Sequence, residues 1–143
     1  MFSTIVVGTD GSATAALAVA QAAQLARKSG ATLHLVAAFQ TPAAIAEPVS
    51  GALLAQFTTS EGQMAAAQQM LEEVADGLSG LDIELHAKSG PPAAVIVRHA
   101  EEVGADLIVV GSKGMQGARR IIGSVPNSVA HSARCHVLIA KTS

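Results

Sequence analysis

Apolar residues are distributed along this chain in two rhythms that take turns. Short β-branched runs stand at 4–9 (TIVVGT), 32–39 (TLHLVAAF), 106–111 (DLIVVG) and 136–141 (HVLIAK), and 82–88 (DIELHAK) alternates apolar with polar. These patterns predict five strands. Between them the spacing is helical. An alanine-rich stretch runs from Ser12 to Ser29, with Thr14, Gln21, Gln24 and Lys28 on its polar side and Gly30 as its stop. A second helix is predicted from about Ser60 to Leu78, where Ala67, Leu71, Val74 and Leu78 make an apolar stripe. GPPAAVIVRHAEEVG opens a third with proline in its first turn and closes it at Gly104, and Pro126 suits the first turn of a fourth, capped by Ser124.

The order is β-α-β-α-β-α-β-α-β, which calls for an α/β fold: a parallel sheet covered on both faces, with right-handed crossovers. Ligands of such sheets sit beyond the carboxyl ends of the strands, where the strand order reverses. Strands one and four are the natural neighbours there, and they end in the glycine clusters GTDGS and GSKG. Residues 40–58, with two prolines, a glycine and scattered apolar residues, read as a long loop of the functional kind. Nothing marks a second domain or an internal repeat, so 1–143 is read as one domain.

Composition narrows the functions. There is no Trp or Tyr and there are only three Phe, which argues against base stacking on aromatic rings and against a flavin held between them. A net charge of −2 supplies no pull toward nucleic acid or an anionic membrane. No apolar run reaches the ~20 residues of a membrane span, and the N-terminus lacks the pattern of a signal peptide. One cysteine, Cys135, excludes an internal disulfide framework and suits a reducing cytoplasm.

Candidate chemistry concentrates at the strand ends. Residues 111–124, GSKGMQGARRIIGS, join strand four to the helix capped by Ser124. Gly111 and Gly114 let the backbone turn and present N–H groups to an anion, the helix start adds free donors, and Lys113, Arg119 and Arg120 bring positive charge. The same residues also suit an ordinary turn with solvated basic side chains. Asp10 likewise has two readings: it holds the turn after strand one, or it accepts hydrogen bonds from a ribose or a base amine. The stretch is neither a Walker A loop nor the dinucleotide fingerprint. A phospho-accepting receiver domain is also excluded, because the strand ending at Lys88 offers no aspartate. The five histidines are scattered without an i, i+4 pair or cysteine partner, so spacing gives no metal centre. Ser128 and His131 lack a third group for a nucleophilic triad. Cys135 is read as an inert buried thiol, and Met64 and Met70 as helix packing.

Three segments together, IVVGTDGS, GADLIVVGSKG and GSVPNSVAHSARCHVLIA, resemble the universal stress protein family over nearly the whole chain. The resemblance implies a three-layer Rossmann-like fold of the adenine nucleotide alpha hydrolase type, with a five-stranded parallel sheet of order 3-2-1-4-5. It implies a homodimer formed through the last strand, 136–141, whose apolar edge would need covering. Nucleotide-binding members look like G-x2-G-x9-G-[ST] after strand four, and Gly111, Gly114, Gly123 and Ser124 stand at the fixed positions, followed by Val125. Asp10 matches the acidic residue that contacts adenosine, and Thr9 and Val36 match positions lining the adenine pocket. The implied ligand is ATP, or AMP or cyclic AMP, with Mg²⁺ bound through the phosphates. One departure stands out: eight residues separate Gly114 from Gly123 where the pattern has nine. That shortens the loop by at most ~3.5 Å and favours the smaller nucleotides. Three functions follow: a nucleotide-dependent stress-response sensor, a nucleotide-free interaction scaffold of the same fold, and an enzyme with at most weak ATP hydrolysis.

Overall fold

A computed structural model describes residues 1–40, 60–112 and 124–142. Within them the strands are β1 (Thr4–Gly8), β2 (Thr32–Phe39), β3 (Asp82–Ser89), β4 (Leu107–Gly111) and β5 (His136–Ala140). The helices are α1 (Ala13–Ser29), α2 (Ser60–Asp76), α3 (Pro92–Val103) and α4 (Val125–Ser132). The strands form one sheet of order β3-β2-β1-β4-β5, every pair parallel. The expected strand order and alternation are therefore present. The long loop expected at 40–58 lies, beyond residue 40, outside the described residues.

The period of two along each strand sorts side chains onto two faces. Ile5, Val7, Leu33, Leu35, Leu107 and Val109 point to one face, where α1 contributes Ala18, Ala22, Ala23 and Ala26 and α2 contributes Leu71. Val6, Val36, Ile108 and Val110 point to the other, against Val95, Ile96 and Ala100 of α3 and Val129 of α4. Because β1 is covered on both sides, its sequence reads as an unbroken apolar run rather than an alternation. Alanine on the inner face of α1 brings its backbone close to the sheet. Leu71 is the one fully buried side chain of α2. Met70 packs against the same core. Met64 does not, with 49% of its surface exposed. The packing expected of both methionines thus holds for Met70 and not for Met64, which stands near the start of α2.

The two halves of the sheet meet where β1 pairs with β4. Asp106, just before β4, accepts from the Ser3 and Thr4 amides at 2.8 and 3.2 Å. Its own amide donates to the Thr4 carbonyl at 3.0 Å. This fixes the register Ile5↔Leu107 that follows.

Candidate functional site at the ends of β1 and β4

The chain leaves β1 toward β2 and β3, then returns to lay β4 on the other side of β1. The order reverses at this pair, which makes the carboxyl ends of β1 and β4 the place for a ligand. The turn after β1 is built by its own side chains. The Thr9 amide donates to the Val36 carbonyl at 2.9 Å, extending the β1–β2 ladder by one residue. Thr9 Oγ1 accepts from the Gly11 amide at 3.1 Å. Asp10 Oδ1 accepts from the Ser12 amide at 2.9 Å. Ser12 then caps α1, its Oγ accepting from the Ala15 amide at 3.1 Å. These are the local bonds that Thr, Asp and Ser make in turns and at helix starts.

Asp10 therefore performs the structural role read from the sequence through one oxygen. A carboxylate has acceptor sites left on its second oxygen, so the ligand role is compatible with it. Gly11 is required sterically. Its φ is +79°, and an added Cβ would stand 2.7 Å from Met70 Cγ of α2.

Val36 is fully buried and shares an apolar cluster with Val125 of α4. It is the Val36 carbonyl, already facing Thr9, that lies at the turn. Thr9 is itself 1% exposed. Among the described residues, then, Thr9 and Val36 are joined by a hydrogen bond, and Asp10 follows Thr9 in the same turn. Gly111 ends β4 one strand away, and Ser124 and Val125 open α4. Lys113, Gly114 and Gly123, with Arg119 and Arg120, lie outside the described residues.

Ser124 occupies the N-cap position of α4, yet its side chain makes no capping bond, and Pro126 stands in the first turn. The expected side-chain cap is thus not formed. The amides of that turn have no side-chain acceptor at the cap, an arrangement open to an anion.

Two residues that sequence reading missed anchor the start of the 111–124 stretch. The Ser112 amide donates to the Ala140 carbonyl at 2.7 Å. Ser112 Oγ accepts from the Thr142 amide at 3.1 Å and lies 3.2 Å from Thr142 Oγ1. The Gly111↔Ala140 pairing is the register signal that leads to them. Cys135 is half-buried, and burial, followed by the nearby Asp106 carboxylate, raises its thiol pKa, which keeps it a poor nucleophile.

The universal stress protein family profile matches residues 1–141. This chain belongs to the universal stress protein family. A universal stress protein of Methanocaldococcus jannaschii is 33% identical over 146 aligned residues, covering 99% of this chain and 83% of that one. A universal stress protein solved in complex with cAMP is 34% identical, with a TM-score of 0.73 and coverage of 99% and 98%. One from Archaeoglobus fulgidus, solved in complex with dAMP, is 25% identical at a TM-score of 0.60, covering 97% of this chain and 98% of its own. The fold deduced from the strand pattern is the family's fold. No helix among the described residues is long and apolar enough to cross a membrane.

Proposed function

We propose that this universal stress protein binds an adenine nucleotide at the ends of β1 and β4 and acts through it as a stress-response sensor or regulator. The observation that carries the reading is the pairing, at the switch point, of the Asp10 carboxylate after β1 with a helix start after β4 whose first turn has no side-chain cap. Asp10 would hold the ribose or a base amine, and the backbone at Thr9 and Val36 would read the adenine edge. Gly111, Lys113, Gly114, Gly123, Ser124 and Val125 would receive the phosphates, with Mg²⁺ entering through those phosphates. Relatives solved with cAMP and dAMP support the ligand class.

ATP is the first ligand to test, and the eight-residue spacer makes AMP and cyclic AMP its competitors. Ligand at ~100 times its Kd adds about 2.7 kcal/mol to folding stability. That is enough for nucleotide level to set how long the protein persists. We assign it to the cytoplasm, and to a homodimer through β5, where Leu138 and Ile139 are 36% and 46% exposed on the outermost strand. The sequence suggests no convincing base for hydrolysis, so we read ATP turnover as at most weak and incidental.

Calorimetric titration with Mg·ATP, AMP and cyclic AMP tests the reading. One site per chain, lost in a folded Gly114→Val variant because branched methyls fill the cradle, is the expected result. No heat and no thermal shift at millimolar nucleotide would favour the second reading, a nucleotide-free dimeric scaffold, which the short spacer and the exposed β5 edge support.

A further inference from the structure

Three of the five histidines, scattered in the sequence, meet in space. His34 of β2, His86 of β3 and His99 of α3 lie on the sheet face covered by α3, with one ligand nitrogen from each within 4.8 Å of the others. His34 Nδ1 is 3.1 Å from His86 Nε2 and 3.4 Å from His99 Nε2. His34 and His99 are 4% and 2% exposed, and His86 is half-buried on the edge strand.

Hydrogen bonding alone accounts poorly for this group. An imidazole nitrogen carries either one hydrogen or one lone pair. His34 Nδ1 can therefore make one good bond, yet two ring nitrogens converge on it. A cation accepts all three lone pairs at once. Zinc–nitrogen bonds of about 2.0–2.1 Å in a tetrahedron set ligand nitrogens roughly 3.3–3.4 Å apart. The two close pairs here, at 3.1 and 3.4 Å, are near that separation, and the third lies within 4.8 Å.

The opposite ring nitrogens make the same case. His34 Nε2 stands 3.7 Å from Glu84 Oε2, and His99 Nδ1 stands 3.9 Å from Glu102 Oε2. His99 Nδ1 is buried and has no hydrogen-bond partner. If Nε2 of His99 carries the proton, Nδ1 turns a bare lone pair toward a carboxylate, which is repulsive. If Nε2 binds a metal, Nδ1 carries the proton and Glu102 becomes its acceptor. Ligating histidines regularly have such a carboxylate behind them. Lys88, bonded to Glu102 at 2.7 Å, is an opposing positive charge whose field reaches His86 and His99, and Arg98 adds a second beside Glu102.

We propose that His34, His86 and His99 form a binding site for a divalent transition-metal ion of the zinc type, with Glu84 and Glu102 orienting two of the rings. The fourth coordination position is left to water or an exchangeable ligand. The site is separate from the phosphate stretch: it is built on β2, β3 and α3, whereas that stretch joins β4 to α4.

The test uses the full chain, stripped with chelator and titrated with ZnCl₂ in nucleotide-free, non-coordinating buffer. The expected result is one Zn²⁺ per chain, with Co²⁺ giving the intense visible bands of tetrahedral coordination. His86→Asn should weaken binding by at least about 100-fold, and Glu102→Gln by about 10–100-fold. His131→Asn, an exposed histidine on α4, should change nothing. Should His86→Asn fail to fold, the exposed Glu102→Gln carries the comparison. Absence of saturable Zn²⁺ binding, an octahedral Co²⁺ spectrum, or affinity unchanged in folded His86→Asn or in Glu102→Gln would overturn the proposal.

Discussion

Gly11 shows how one residue joins two elements. Its left-handed backbone lets Thr9 and Asp10 both reach amides just ahead of α1, and its missing Cβ leaves room for Met70. Gly11→Ala should cost roughly 1–2 kcal/mol, combining backbone strain with a displaced methionine. Urea unfolding of the variant measures this, and a cost near zero would mean that Met70 swings away freely. Asp10 and Ser12 were legible in the sequence because turn and cap bonds join near neighbours. Ser112 was not, since its partner Thr142 is 30 residues away. The histidine group was less legible still, because contacts spanning 52 and 65 residues leave no spacing to read.

At the scale of elements, the hydrophobic rhythm was a faithful guide wherever burial decides the residue type. β1, β2 and β4 are covered on both faces, and their β-branched runs declare it. β3 and β5 lie at the edges, where burial is partial and the pattern is weaker, yet both still form over the expected stretches. The edge position of β5 has a physical cost, since exposed apolar side chains on an open strand invite pairing. If β5 is where two copies meet, Leu138→Lys should convert dimer to monomer while leaving the melting temperature of the monomer within a few degrees. Sedimentation velocity reads the outcome, and an undiminished dimer would move the interface elsewhere.

For the whole molecule, the buried histidines link stability to pH. Burial first, then the charges of His86, Lys88 and His34, hold His99 down to about 4 from 6.5, against the pull of Glu102. Burial and then His34 lower His86 as well. Above about 6.5 both folded and unfolded chains leave His99 neutral, and its contribution is fully retained. As pH falls from 6.5 toward 4, the unfolded chain takes up a proton that the folded chain refuses, and stability falls. With chelator present, the loss attributable to His99 should be on the order of 2 kcal/mol by the lower end of that window. Urea midpoints at pH 7 and pH 4.5 test this against His99→Gln, whose pH slope should be shallower. Equal slopes would show that His99 does not carry the effect.

The β1–β4 pairing has a consequence for how the molecule comes apart. One block holds β1, β2 and β3, the other holds β4 and β5, and the hydrogen-bonded join between them is a single line of backbone. Asp106 fastens the lower end of that line across a separation of 102 residues, while the upper end opens into the region where a nucleotide would lie. A ligand there would act like the second latch on a hinged case. It would raise the free energy of the opening that parts the blocks, while fraying of β3 and β5 at the two outer margins continued as before.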